Sequence, residues 1–176
     1  MATTPRVAIA LMRVFEMAKK DFRHSMPVRV RWSEVDPQSI VFNSHYLTYC
    51  NICMTEYWRA LRIRPNEEIL EAHGVQVVVA KSTLEYHAPA YFDDMLDVRA
   101  RIAHLGRSSI VFRMEIYRGD MHLVSAELIA VCISPAVRES VPVPAPLRAI
   151  IDEFEAAVVS QPAVVHRQEA GCGLPQ

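Results

Sequence analysis

The chain has 176 residues, 51% of them hydrophobic, and its 19 Lys and Arg against 20 Asp and Glu give a net charge of −1. This length fits one domain with a substantial core, and the charge balance excludes a global basic field for nucleic acid. The four cysteines, scattered between Cys50 and Cys172, do not resemble a secreted disulfide framework. We therefore expect reduced thiols and a cytoplasmic location.

Cysteine and histidine lack the spacing that a metal site needs. Cys50 and Cys53 form a C-x-x-C pair in a helical stretch, without a second pair at zinc spacing. The seven histidines show neither an H-x-H nor an H-E-x-x-H pattern. We expect no metal and no redox cofactor.

Residues 1–26 are predicted to be a helical or disordered extension, because residues 7–22 carry apolar side chains at helical spacing. Arg13 and Glu16 interrupt this run and no small-residue cleavage site follows, which argues against a signal peptide. We also expect no membrane span, since such a span needs roughly 20 apolar residues.

The central stretch of the chain predicts a strand, a turn and a buried helix. Val28, Val30 and Trp32 alternate with polar residues and predict a strand, which the Asp36-Pro37 turn ends. The helix that follows, about 16 to 18 residues long, is apolar in nearly every direction except along a thin stripe of Thr48, Asn51, Thr55 and Arg59. A helix of this kind belongs inside a protein, so we expect a sheet to wrap around it.

The rest of the chain predicts a short helix, four strands and a final helix. The short helix covers residues 66–73, and the strands cover residues 75–87, 96–103, 110–117 and 122–133 as an antiparallel meander. Gly106 and the Gly119-Asp120 pair mark two of the turns. An amphipathic helix is predicted from Ala145 to Val159.

This order of elements indicates an α+β domain, a curved antiparallel sheet around one helix. The run D-P-Q-S-I-V-F-N-S-H-Y-L, with R-V-R-W before it and T-E-Y-W after it, resembles the hotdog-fold acyl-CoA thioesterases of the 4-hydroxybenzoyl-CoA thioesterase family. The runs S-T-L-E-Y-H-A-P-A-Y-F-D-D-M-L-D-V and L-G-R-S-S are similar to strands of that family. The resemblance implies a hotdog domain over 27–135 with a sheet of about five strands. Beyond it, the amphipathic pattern predicts a C-terminal helix over 136–160, and the Pro- and Gly-containing end predicts a disordered tail over 161–176.

The resemblance also implies a catalytic site for thioester hydrolysis. Asp36 would act as general base or nucleophile, and the backbone N–H of Asn43, at the start of the helix, would polarise the thioester carbonyl. Free N–H groups at a helix start favour negative charge on oxygen, which supports this assignment on physical grounds. Each residue also has a structural interpretation: Asp36 caps the turn before proline, and the Asn43 side chain caps the helix.

The sequence departs from part of the family at this site. Some members carry histidine where this chain has Asn43, and asparagine where it has His45, so a histidine-assisted step at position 43 is absent. His45 either replaces that histidine at the substrate or is a packed or surface residue. Glu56 lies roughly 20 Å beyond the helix start at about 1.5 Å per residue, so we interpret it as structural and paired with Arg59.

Coenzyme A would need cations for its phosphates, and the candidates are Lys81 and the turn formed by Arg107, Ser108 and Ser109. Arg99, Arg101 and Arg113 are further candidates that more often belong to a solvated strand face. Hotdog domains pair with the site between subunits, so the resemblance implies a homodimer or homotetramer. In it, Tyr46, Tyr49 and His87 would serve a neighbour's site.

We therefore predict an acyl-CoA thioesterase, a hydrolase for which coenzyme A is part of the substrate and no other cofactor is needed. A non-catalytic module that binds acyl-CoA or acyl-carrier protein is the rival function on the same fold. A hydratase or dehydratase acting on an enoyl thioester is a third possibility, although no clear Asp/His motif supports it.

Overall fold

The computed structural model describes residues 19–64 and 67–156. The strands are β1 (His24–Arg29), β2 (Gln76–Tyr86), β3 (Met95–Leu105), β4 (Ser109–Arg118) and β5 (Met121–Ile133), and the helices are α1 (Asn43–Ala60), α2 (Glu67–His73) and α3 (Ala145–Ala156). Two short 3-10 turns, Lys19–Asp21 and Trp32–Glu34, flank β1. Most of the predicted N-terminal extension and the whole predicted tail lie outside the described residues.

The strands form one antiparallel sheet in the order β1-β3-β4-β5-β2. The predicted α+β hotdog fold, a sheet that packs on one long helix, is confirmed. The predicted four-strand meander is wrong, because β2 pairs with β5 at one edge while β3 lies beyond β4 and pairs with β1. The chain therefore crosses the sheet between β2 and β3, and residues 87–94 make that crossing beside the start of α1.

Helix α1 has 18 residues and buries one continuous stripe against the sheet: Tyr46, Tyr49, Cys50, Cys53, Tyr57 and Trp58. These positions recur every three or four residues, as one face of a helix requires. The expectation of burial on nearly every side is wrong, since the opposite face is open and Ile52 is 41% exposed. One sheet covers only one side of a helix.

The core lies between α1 and the alternate residues of the three central strands. Val98, Phe112 and Leu128 are fully buried there, and each such side chain contributes about 1.5–3 kcal/mol of transfer free energy. Helix α3 closes the end of this core with buried Leu147 and Ile151. It is therefore packed into the domain.

Two boundaries differ from the sequence-based prediction. The sheet begins at His24, inside the predicted extension, because β1 pairs with β3 from its first residue. The predicted strand does not continue to Trp32, whose side chain is 77% exposed in a 3-10 turn. Within the described parts of the chain, no helix is both long and apolar enough to cross a membrane.

Candidate active site

The segment between β1 and α1 forms a tight loop that carries Asp36. An isolated bridge between Val35 and Val41 closes the loop, and the Asp36 N–H donates to the Ile40 carbonyl at 2.9 Å. The Asp36 Oδ1 accepts from the Gln38 N–H at 2.8 Å, so the predicted turn-capping role of Asp36 is present. No described residue hydrogen-bonds to Oδ2, which leaves one carboxylate oxygen for a substrate or a water.

Helix α1 begins at Asn43, and its N-cap residue is Phe42, without a side-chain cap. The prediction that the Asn43 side chain caps the helix is therefore wrong, because the extended N-cap conformation falls one residue earlier. The Phe42 N–H donates to the Glu34 carbonyl, and the Phe42 carbonyl accepts from the His45 N–H, both at 2.9 Å. In the described part of the chain no backbone carbonyl accepts from the Asn43 N–H, as is usual for the first residue of a helix.

Asp36 and Asn43 line one open pocket of about 440 Å³. Its aromatic lining comes from Phe42, Tyr46 and Tyr86, and the rest from Gln38, Ile40, Val41, His87, Ala88 and Pro89. The loop, the helix start and the crossing segment after β2 thus meet at one end of the sheet. A carboxylate and a helix N-terminus beside an apolar wall suit a polarised carbonyl with an apolar substituent.

Comparisons with known proteins identify the family of this chain. A family model described as the thioesterase superfamily matches residues 38–125, which include Asn43 and most of the pocket lining. The "Acyl-CoA thioester hydrolase YbgC" of Escherichia coli O6:H1 is 32% identical over 130 residues, covering 73% of this chain and 93% of that protein. The chain belongs to the thioesterase superfamily.

Solved thioesterases share the fold of this superfamily member. One is a thioesterase from Thermus thermophilus complexed with coenzyme A and Zn, with a TM-score of 0.68, 23% identity and coverage of 78% of this chain and 98% of that chain. Another is a mutant 4-hydroxybenzoyl CoA thioesterase complexed with 4-hydroxybenzoyl CoA, with a TM-score of 0.67, 20% identity and coverage of 73% and 97%. At these identities the likeness establishes the fold alone.

Two tyrosines, Tyr46 and Tyr86, supply much of the aromatic lining of this pocket. Tyr46 packs edge-on against Tyr86, with ring centroids 5.6 Å apart. The Tyr46 hydroxyl accepts from the Ala90 N–H at 2.8 Å, and burial raises its pKa above the usual value. Tyr46 and Tyr49, which the resemblance assigned to a neighbour's site, thus use their hydroxyls within the same chain.

His87 lies at the rim of the pocket and begins a short polar chain. Its Nε2 is 2.9 Å from the Ser125 Oγ, which is 3.2 Å from the His122 Nε2. Sequence patterns do not reveal this contact, because it depends on the register of β2 with β5. Tyr86 was also missed, although it lies in the run E-Y-H-A-P-A that carried part of the resemblance.

Several predicted binding residues lie away from the pocket of the same chain. His45 packs edge-on against Phe42 outside the lining, and Lys81 is exposed on β2 opposite Ile129, on the sheet face away from α1. Arg107 and Ser108 form the turn before β4 and Ser109 is its first residue, whereas the pocket is at the far end of that ten-residue strand. At about 3.3 Å per residue, the separation is roughly 30 Å.

The remaining candidates have structural partners. Arg99 pairs with Asp97 at 2.7 Å, Arg113 with Glu127 at 2.8 Å and Arg101 with Glu155 at 3.5 Å. The predicted Glu56–Arg59 pair is present on α1. Arg99, Arg101 and Arg113 are thus engaged in ion pairs, and Arg99 and Arg101 are partly buried rather than fully solvated.

The thiols of α1 are poorly suited to chemistry. Cys50 and Cys53 are buried, and burial raises the pKa of Cys50 to about 12 and that of Cys53 higher still. A thiol nucleophile needs a lowered pKa. Within residues 19–64 and 67–156, no cluster of three or more His, Cys, Asp or Glu side chains could hold a metal ion.

Proposed function

We propose that this thioesterase-superfamily chain hydrolyses acyl-CoA to a free acid and coenzyme A in the cytoplasm, without a metal or redox cofactor. The observation that carries the proposal is that Asp36 and Asn43 line the same pocket, in which Asp36 keeps one carboxylate oxygen that no described residue hydrogen-bonds. The names of its relatives, acyl-CoA thioester hydrolase among them, support the substrate class.

The proposed chemistry begins at the thioester carbonyl. Its oxygen accepts from the Asn43 N–H, where the helix dipole contributes about half a positive charge. Asp36 then either takes a proton from a water that attacks the carbonyl carbon, or attacks that carbon itself to form a mixed anhydride. In both routes the C–S bond breaks as the tetrahedral intermediate collapses and the thiolate of coenzyme A leaves; in the second route water then hydrolyses the anhydride.

Known enzymes indicate how much an oxyanion donor and a general base each contribute to kcat. One oxyanion donor typically contributes about 10²–10³ in kcat, and a general base contributes about 10²–10⁴. The pocket volume of about 440 Å³ lies within the roughly 300–1,000 Å³ range of small-molecule sites. We propose that the acyl group lies against Phe42, Tyr46 and Tyr86.

We further propose a homodimer formed through β2, one of the two edge strands of the sheet, with a homotetramer as a pair of such dimers. Val78 and Val79 are 39% and 42% exposed there, and such an edge invites pairing with another strand. In antiparallel self-pairing, the Tyr86 end of one β2 meets the Gln76 end of the other. The turn before β4 lies at the Gln76 end of β2. The partner's Arg107 would therefore approach the pocket and bind the phosphates of coenzyme A.

A thiol-release assay over short, long and aromatic acyl-CoAs tests the proposal. We expect release of coenzyme A from at least one class, and loss of release in Asp36→Ala with substrate binding retained. Binding without release from any substrate would instead establish the non-catalytic module. Because His87 shares the pocket with Asp36, enoyl-CoA belongs in the panel, and hydration without thiol release would establish the hydratase.

A further inference from the structure

We infer that Glu34 is a positioning residue, which holds the loop that carries Asp36 in register with the start of α1. The inference rests on the proposed function, since it matters only if Asp36 and the Asn43 N–H act on the same carbonyl. Glu34 lies two residues before Asp36, at the end of the Trp32–Glu34 turn. No sequence pattern singled it out.

Glu34 accepts three hydrogen bonds. Its Oε2 accepts from the Tyr49 hydroxyl at 2.8 Å and from the Arg31 N–H at 2.7 Å. Its backbone carbonyl accepts from the Phe42 N–H at 2.9 Å. Glu34 thus joins the chain before the loop, the residue just before the helix, and the second turn of α1.

The other hydrogen bonds of the loop do not connect the segment that carries Asp36 to the body of α1. The bond from the Asp36 N–H to Ile40 and the bridge between Val35 and Val41 shape the loop internally. The Val41 N–H donates to the Ala90 carbonyl at 2.9 Å, which holds the end of the loop that leads into α1. The segment that carries Asp36 reaches the residue before α1 through the Glu34 carbonyl, and it reaches α1 itself through the Glu34 carboxylate.

Tyr49 is a rigid anchor for that carboxylate. Its side chain is 1% exposed and packs edge-on against Tyr46, with centroids 6.1 Å apart. Burial and the neighbouring Glu34 carboxylate raise the pKa of Tyr49 far above its usual value. The hydroxyl therefore keeps its proton and remains a donor throughout the physiological pH range.

The same helix offers a matched control in Tyr57. Its hydroxyl donates to the Glu155 carboxylate at 2.5 Å, and its side chain is fully buried. It lies two turns further along α1, roughly 12 Å away at about 1.5 Å per residue. Tyr49→Phe and Tyr57→Phe thus each remove one buried tyrosine–carboxylate hydrogen bond, one near the pocket and one far from it.

Steady-state kinetics on an acyl-CoA substrate, with melting curves for every variant, distinguish a role in positioning the site from a role in stability alone. We expect Tyr49→Phe to lower kcat about tenfold or more while KM stays within about twofold, because small misplacements of reacting groups cost much rate. Tyr57→Phe should keep kcat within about twofold of wild type, even if its melting temperature falls as much as that of Tyr49→Phe. Equal kcat in the two variants would overturn the inference.

Substitutions at Glu34 itself give a second, independent test. Glu34→Gln keeps an acceptor oxygen and should therefore retain a higher kcat than Glu34→Ala. The double variant Glu34→Ala with Tyr49→Phe should have the same kcat as Glu34→Ala alone, because both lose the same hydrogen bond. Additive losses would contradict a shared role. Asp36→Asn separates the two proposals. If Asp36→Asn stays active, the proposed function fails. If Asp36→Asn is inactive and Tyr49→Phe is fully active, the proposed function stands and only the role of Glu34 is refuted.

Discussion

The Tyr86 hydroxyl donates a hydrogen bond to the Asn43 backbone carbonyl at 3.2 Å, which joins the end of β2 to the first residue of α1. Tyr86 is 52% exposed and lines the pocket next to the proposed oxyanion donor. One side chain thus fixes the width of the pocket between the sheet edge and the helix start.

Replacing Tyr86 tests its place in the substrate site. We expect Tyr86→Ala to raise the KM for acyl-CoA about tenfold while the free energy of unfolding falls by no more than about 1.5 kcal/mol, the contribution of one hydrogen bond. Tyr91→Ala is the matched control, since Tyr91 is 44% exposed and lies outside the pocket lining. An equal change of KM in the two variants would contradict the assignment.

The fold depends on the aromatic contacts under α1. Phe112 is fully buried, with ring centroids 5.4 Å from Tyr57 and 5.9 Å from Trp58. We expect Phe112→Ala to lower the free energy of unfolding by about 3–5 kcal/mol through lost burial and a cavity. Ile52→Ala on the open face of α1 should cost less than about 1 kcal/mol. Urea unfolding measures both values, and a small loss in Phe112→Ala would disprove this packing.

His24 should make stability depend on pH. Its side chain packs edge-on against Tyr57, its Nε2 has no hydrogen-bond partner among the described residues, and burial lowers its pKa from 6.5 while Glu56 opposes that shift. The unfolded chain therefore binds the proton first as pH falls, so this contribution to stability is present above pH 6.5 and is lost as pH falls from there toward the folded pKa. We expect the unfolding free energy to fall in that window, and less steeply in His24→Leu; equal slopes would contradict this prediction.

Arg107 tests the proposed subunit arrangement. We expect Arg107→Ala to raise the KM for acyl-CoA about tenfold, since one charge-assisted phosphate contact contributes about 1.5–3 kcal/mol. The KM for the corresponding N-acetylcysteamine thioester, which lacks those phosphates, should not change. Light scattering should show a dimer, and Val79→Glu should weaken it. A fully active monomer would contradict this arrangement.

Local patterns predicted the elements of this fold more accurately than their arrangement. The apolar run after Asn43 predicted α1, and the alternation in residues 96–103 and 110–117 predicted β3 and β4. The position of β2 beside β5 was not predicted, because strand order depends on contacts between residues distant in the chain. The exposed face of α1 was missed for the same reason, since apolar composition does not say how much of a helix the sheet covers.

The candidate site divides in the same way. Asp36 and Asn43 lie close in sequence, so a turn followed by a helix start was enough to predict that they share a pocket. Glu34 was missed because its importance depends on reaching Tyr49, and Tyr86 because it reaches Asn43 from another strand. The Arg107 turn lies at the far end of the sheet within one chain, so its proposed role requires a partner subunit.

The proposal that Asp36 carries the chemistry is tested most directly by the kcat of Asp36→Asn on the best acyl-CoA substrate. Asp93→Asn is the control, because Asp93 pairs with Arg29 at 2.9 Å outside the pocket. We predict that Asp36→Asn lowers kcat by about 10²–10⁴ with substrate affinity and melting temperature retained, and that Asp93→Asn stays within about twofold of wild type. A kcat for Asp36→Asn within about threefold of wild type would contradict the account.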